Sequence, residues 1–382
     1  MQTDASTWAT NSGYKITRFK KLTRTEPCTM SDLAHSHLPL GIQLAHKLEY
    51  QSCTDYNSII HASDIEIFIW NWNPSDSRER NHKFFIISRE NEILCSEPNS
   101  HPIWLDSFPC FRRESETLVS MAMNPICQPL DNTLNKITIC LGGMHFGHWV
   151  SDTLPKIIAS KNQLPSNRIL TTKLSQEERE FICRRLELSD TEFAEIDPHG
   201  FHFHKLLIKQ AEIFGDLTVT EKNQILRNAV ALTCTKIAVY DDKPVYLKRG
   251  QISGNERITN EQSLIEELIA RGVSILDPRE FPFYTHPEKY LGFSKFIFYN
   301  SSINTNFNVL ARESSKALVF LHPSFNKPTI ECIVGAAVYL LPRLTQIIPK
   351  VLQGNPNEHF NSPLDVNLEE ISYALTDFLK GC

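Results

Sequence analysis

The feature that most narrows the fold is a strand–helix alternation that occurs twice, once from Lys136 and again from Lys243. In the first series residues 137–141 read as a short apolar strand, closed by the Gly142-Gly143 turn and followed by a helix from about Gly147. Residues 167–172 and 201–208 read as strands, and 176–186 and 221–232 as helices. In the second series 244–247, 273–276, 295–299, 318–321 and 334–340 read as strands. Helices are expected at 261–270, near 288–291, at 306–312 and at 368–379. Thr259 and Gln262 have the spacing of a capping box before the 261–270 helix, Gly272 is its stop, and Leu264, Ile265, Leu268 and Ile269 form one apolar stripe. Alternation of this kind signals a parallel sheet covered by helices. Two series predict an α/β chain of two Rossmann-like doubly wound domains facing a cleft, residues 61–238 and 239–382. Strand-like runs at 65–70 and 83–87 fall in the first of these. Residues 1–60 lack periodicity and carry many Ser, Thr, Asn and His, which predicts an N-terminal extension that wraps or frays.

A length of 382 residues suits two domains, and 41% hydrophobic with 22% charged residues is the balance of a soluble globular protein. The net charge of -5 argues against a chain that coats nucleic acid, while leaving room for a local basic pocket. None of the ten cysteines forms a Cys-x-x-Cys pair, which argues against a zinc knuckle or redox motif. Their scatter through apolar stretches predicts reduced, mostly buried thiols. The first residues are polar with no apolar core of a secretory signal, and no run approaches the roughly 20 apolar residues of a spanning helix. A cytoplasmic chain is expected; peripheral contact with the inner face of a membrane and a homo-oligomer are both compatible with it.

Ligands of doubly wound sheets bind beyond the carboxyl ends of strands, so residues just after strands bear most on function. The first such segment is Gly142 to Asp152, where His148 and Asp152 stand four apart on one face of the expected helix. Such a pair orients an imidazole or holds a substrate hydroxyl, or the two merely satisfy one another with Trp149 in the core. His145, His148 and Asp152 also make a conceivable metal-ligand set, the signature of a metal-dependent hydrolase. The second segment runs from Lys248 to Asn260. Lys248, Arg249 and Arg257 have the charge to neutralise a diphosphate, and the plainer reading is a solvated basic loop. The third segment is 300–308. There Ser302, Asn304, Thr305 and Asn308 offer a phosphate cradle, or an Asn/Ser-rich turn with a helix cap.

Taken together, the region from about 140 to 380 resembles glycosyltransferase family 61. This family includes plant xylan-decorating transferases, animal O-linked N-acetylglucosaminyltransferases and bacterial capsular polysaccharide enzymes. The resemblance rests on His148-Trp149-Val150-Ser151-Asp152-Thr153-Leu154-Pro155-Lys156, on Tyr246-Leu247-Lys248-Arg249 with Arg257 and Asn260-Glu261, and on Gly272 to Pro278 with its Asp277-Pro278 exit. Ser302 and Ile303 stand where the family often has His and Gly, with Asn308 on its Asn. The resemblance implies an inverting hexosyl- or pentosyltransferase of GT-B architecture that uses no cofactor and no obligatory metal. Its donor would be a nucleoside diphosphate sugar, a UDP-sugar first, and its acceptor a glycan or lipid-linked glycan in surface (capsule-type) polysaccharide biosynthesis. Lys248, Arg249, Arg257, Asn260, Ser302, Asn304, Thr305 and Asn308 would hold the donor. Asp152 would be the base, with His148 the second candidate. The departures at Ser302 and Ile303 suggest the rival, a non-catalytic nucleotide- or sugar-binding relative.

Overall fold

The computed structural model describes residues 9–20, 56–71, 82–87, 93–95, 136–141, 149–165, 167–172, 174–189, 192–196, 204–215, 225–226, 228–229, 243–249, 258–283, 285–299, 303, 310, 315–320, 345–348, 352–353 and 365–380, and every structural statement concerns these. They fall into two compact units, dividing between Ala229 and Lys243.

The first unit is built on an eight-stranded mixed sheet. Its strands are β1 (Lys15–Lys20), β2 (Tyr56–Asn71), β3 (His82–Ile87), β4 (Ile93–Cys95), β5 (Ile137–Ile139), β6 (Arg168–Thr172), β7 (Phe193–Ile196) and β8 (His204–Gly215). The order is β4-β3-β2-β8-β5-β6-β7, with β1 also on β2. From β8 to β7 the pairing is parallel. From β4 to β8 it is antiparallel, so half of this sheet is not the doubly wound parallel sheet expected from sequence. The reason is the long strand β2, which pairs antiparallel with β8 along most of its length. Residues 15–20 and 56–60, read from sequence as part of an extension, pair with each other in this sheet.

The outer edge of β2 has two partners. β1 takes Tyr56 to His61, and β3 takes Glu66 to Asn71. At the hand-over Asp64 adopts a positive φ of 51°, and its carboxylate accepts from Lys209 Nζ at 3.1 Å. One face of the sheet is an apolar core of Ile60, Ile65, Ile67, Ile137, Ile139, Ile208 and Ile213, joined by Ala9 and Tyr14 from the N-terminal segment. The opposite face carries a polar chain across four strands and the turn before β6. Thr17 Oγ1 meets His61 Nε2 at 2.7 Å, and His61 Nδ1 meets Glu212 Oε1 at 3.1 Å. Asn167 then donates to Glu212 and to Thr138 Oγ1. The chain satisfies groups that burial would otherwise strand.

Helices α1 (Leu154–Gln163) and α2 (Gln176–Leu186) follow β5 and β6. Ser175 and Glu178 form a reciprocal capping box at the start of α2, which explains its sharp beginning. The thiol of Cys140, just past β5, is pushed up to about 12 by burial, against smaller opposing effects of Ser160 and Lys156.

The second unit contains a five-stranded, all-parallel sheet: β9 (Lys243–Leu247), β10 (Ser274–Leu276), β11 (Phe293–Tyr299), β12 (Lys316–Phe320) and β13 (Thr345–Ile348). The spatial order is β10-β9-β11-β12-β13. Counted within the unit, that is 2-1-3-4-5, the flavodoxin-like doubly wound order. Both faces are buried: Tyr246, Ile297 and Leu318 on one, Val245, Phe296 and Ala317 on the other. That is why these strands read as continuous apolar runs. Helices α3 (Glu261–Ala270) and α4 (Leu368–Lys380) share a core with the first face through Leu264, Leu268, Ile371, Leu375 and Phe378. Each such side chain stabilises the fold by about 1.5–3 kcal/mol.

A two-residue ribbon, β14 (Leu352–Gln353) with β15 (Asp365–Val366), precedes α4. Two expectations about α3 fail. Ile269 is 57% exposed, because the helix buries only the stripe of Leu264, Ile265 and Leu268. No capping box forms, because the Thr259 hydroxyl donates to Asp365 instead. Gly272 does end the helix, at a φ of +78°. The strand expected at 334–340 and the helix expected at 306–312 lie outside the described residues, apart from a single helical residue, Leu310.

Candidate functional site

The strand order of the second unit marks one edge as the candidate ligand site. The order reverses between β9 and β11, and doubly wound sheets bind ligands in the crevice beyond the carboxyl ends of strands at such a point. The chain leaves β9 through Lys248 and Arg249. Lys248 N donates to Leu276 O at 2.8 Å, carrying the β9–β10 pairing one residue past the strand. Arg249 then turns over the start of α3, and its backbone N–H donates to Glu261 Oε1 at 2.9 Å. The Tyr246 hydroxyl donates to the same oxygen at 2.8 Å. One carboxylate oxygen therefore ties the last turn of the strand to the first turn of the helix. Burial pushes the Tyr246 hydroxyl well above its ordinary pKa, with the Glu261 charge adding to the shift and Arg249 opposing it.

At the neighbouring exit, of β10, Asp277 is 9% exposed. It accepts from Arg279 N and Arg279 Nε, both at 2.9 Å, and from Arg279 Nη2 at 2.5 Å. Burial works to raise the Asp277 carboxyl; the Arg279 bonds and charge, helped by Lys248, outweigh it and hold the group below the usual carboxylate range. Lys248, Arg249 and Arg279 thus stand with Glu261, Asp277 and Glu280, three formal positive charges against three negative ones on the carboxyl edge of the sheet. Arg249 is itself buried, as suits a cation placed for a poorly solvated anion. The cations at the exit of β9, Lys248 and Arg249, are of the kind that bind a compact polyanion.

In the first unit the exit of β5 leads to Trp149–Thr153, which is π-helical rather than α-helical. The cause lies in Pro155, which has no N–H for the Ser151 carbonyl and whose ring crowds that carbonyl, so the turn widens. Asp152 lies within this turn, while its expected partner His148 is outside the described residues. Trp149 and Val150 are fully buried in this turn, and Asp152 belongs to it.

Among the sequence-chosen residues, Lys248 and Arg249 occupy the edge just described, and Asn260 lies beside it with a different task. Asn260 Nδ2 donates to Val366 O at 2.9 Å, and Val366 N donates to Asn260 Oδ1 at 2.8 Å. Its amide therefore holds β15 against the start of α3. His145, His148, Arg257, Ser302, Asn304, Thr305 and Asn308 lie outside the described residues, and Ile303 is buried at 5% exposure. Sequence reasoning left out Glu261, Asp277 and Arg279 as site residues. A signal existed: an acid directly after a strand with Arg two residues on, and an acid opening a helix that follows a basic strand exit.

The chain is mixed α/β, and its second unit has the strand order of a doubly wound parallel sheet. Residues 146–310, somewhat under half of the chain, match the family model Glycosyltransferase 61, so this segment is similar to that family. No curated protein matches the chain. The family indicates glycosyltransferase activity and, in general terms, a sugar donor and a glycan acceptor.

Proposed function

We propose that this chain is an inverting glycosyltransferase that moves a hexosyl or pentosyl group from a nucleoside diphosphate donor, a UDP-sugar first, to a glycan or lipid-linked glycan acceptor. The observation that carries the donor half is the flavodoxin-like strand order, which puts the exit of β9, with Lys248 and Arg249, beside the switch point. In this reading Lys248, Arg249 and, a few residues further along the sequence, Arg257 neutralise the diphosphate as it leaves, and Ser302, Asn304, Thr305 and Asn308, which come after β11 in the sequence, also hold the donor. Charge stabilisation of that kind acts where negative charge develops in the transition state.

The acceptor half rests on the π-helical turn after β5, a local geometry frequent at functional sites. Asp152 takes the proton from the acceptor hydroxyl, with His148 the second candidate. The acceptor oxygen forms its bond to the anomeric carbon as the bond to the diphosphate breaks, on the opposite face, so the configuration inverts. A GT-B arrangement of domains 61–238 and 239–382, a role in surface polysaccharide assembly and a cytoplasmic location at the inner face of a membrane complete the proposal. No helix among the described residues is long and apolar enough to cross a membrane.

The test is a melting-temperature screen against nucleoside diphosphates and their sugars, followed by transfer assays with any hit. A true ligand raises the melting temperature by mass action. A rise with UDP and one UDP-sugar, plus glycosylated product, is expected. No shift with any nucleoside diphosphate would overturn the donor reading. Binding with neither transfer nor hydrolysis would favour the non-catalytic alternative.

A further inference from the structure

We infer that Glu261 is a positioning residue of the donor site, acting through Arg249; the inference rests on the donor reading above. The geometry is specific. A single oxygen, Glu261 Oε1, accepts from Arg249 N at 2.9 Å and from the Tyr246 hydroxyl at 2.8 Å. Tyr246 is fully buried in β9 and cannot shift without disturbing the core. Glu261 opens α3, whose Leu264, Ile265 and Leu268 are buried in that same core. Two rigid elements therefore fix the carboxylate, and the carboxylate fixes the backbone of Arg249 at the point where the chain leaves the strand. A guanidinium whose backbone is already held loses less freedom when it meets an anion, so preorganisation raises affinity.

The same carboxylate stands at the first turn of α3, where doubly wound folds commonly seat a phosphate against the helix N-terminus. The carboxylate's two effects on a bound anion oppose each other: its hydrogen bonds hold Arg249 in place, while its charge repels the ligand. Replacing Glu261 by Gln keeps an acceptor oxygen and removes the charge; replacing it by Ala removes both.

The experiment is calorimetric titration of the full chain with UDP and with inorganic pyrophosphate. Wild type, Glu261→Gln, Glu261→Ala, Arg249→Ala and the double variant Glu261→Ala/Arg249→Ala are compared. Glu261→Gln should bind as tightly as wild type or more tightly, and Glu261→Ala roughly tenfold more weakly. In the Arg249→Ala background Glu261→Ala should add less than about a twofold further loss, because the two act as one unit. A residue that merely stabilised the fold would lower the melting temperature, leave UDP affinity unchanged below it and show no such coupling. Tyr246→Phe, which deletes one of the two bonds at nearly constant shape, guards against an unfolded Ala variant; it should weaken UDP binding a few-fold. Wild-type affinity in both Glu261→Ala and Tyr246→Phe, or full additivity with Arg249→Ala, would overturn the inference while leaving the donor reading standing. Failure of the wild type to bind UDP and pyrophosphate would overturn both.

Discussion

Asn260→Ala separates a structural role from a ligand role at one residue. Asn260 makes two hydrogen bonds with the backbone of Val366, at 2.9 and 2.8 Å, and Val366 is 3% exposed. The substitution removes both bonds and leaves a buried N–H and a buried carbonyl without their partners. A net hydrogen bond is worth about 1 kcal/mol, and a stranded buried group costs about 1–3 kcal/mol more. Because water can reach part of the edge once β15 loosens, a loss of about 3 kcal/mol is expected rather than the full sum. For a unit of this size that lowers the melting temperature by roughly 10 °C. Thermal melts followed by circular dichroism read the loss, and calorimetric titration with UDP at 15–20 °C below the melt, roughly, reads affinity. The expected result is a large drop in melting temperature with UDP affinity within about twofold of wild type. An unmoved melting temperature with a tenfold fall in affinity would refute the reasoning and return Asn260 to the donor.

Arg249→Ala should weaken nucleoside diphosphate binding by about 2–5 kcal/mol if the buried guanidinium meets the diphosphate, and titration calorimetry showing unchanged affinity would remove it from that role. Asp152→Asn should leave UDP binding intact and slow transfer by two to four orders of magnitude, roughly, read as kcat at saturating donor; full turnover would remove Asp152 as base. Asp277 is held below the usual carboxylate range when folded, so the Asp277–Arg279 pair stabilises the second unit above the unfolded carboxyl's pKa. That contribution fades as pH falls through the folded value. Melting temperatures of wild type and Asp277→Asn should therefore differ at neutral pH and converge in acid; a constant gap would show that the charge is not what matters.

Much of the second unit was legible because its sheet is buried on both faces. Strands such as Phe293–Tyr299 and Lys316–Phe320 are then nearly unbroken apolar runs, and α3 carries its buried stripe at helical spacing. β13 was missed because Thr345-Gln346-Ile347-Ile348 mixes polar and apolar residues and is held in the sheet by pairing with β12, a non-local cause. The first unit was half legible. Its parallel part announces itself by alternation with helices, whereas β1 is Lys-Ile-Thr-Arg-Phe-Lys, a polar strand at a sheet edge that no apolar pattern marks. At the site, charge at Lys248 and Arg249 was readable from position after a strand. The task of Asn260 was not, since its partner Val366 lies 106 residues away. Nor was the π-helical turn, whose origin is a proline placed two residues past its end, inside what the spacing alone presents as a helix.

The divided outer edge of β2 has a practical corollary for anyone shortening the protein. Without residues 15–20, the backbone amides and carbonyls of Tyr56 to His61 would lose their neighbour on that side while the rest of the ladder stayed intact. A bare ladder of that length is a template onto which a strand from another molecule can dock. A trimmed chain would then face self-association ahead of unfolding, and the Asp64 corner marks how far along the strand the vulnerability runs.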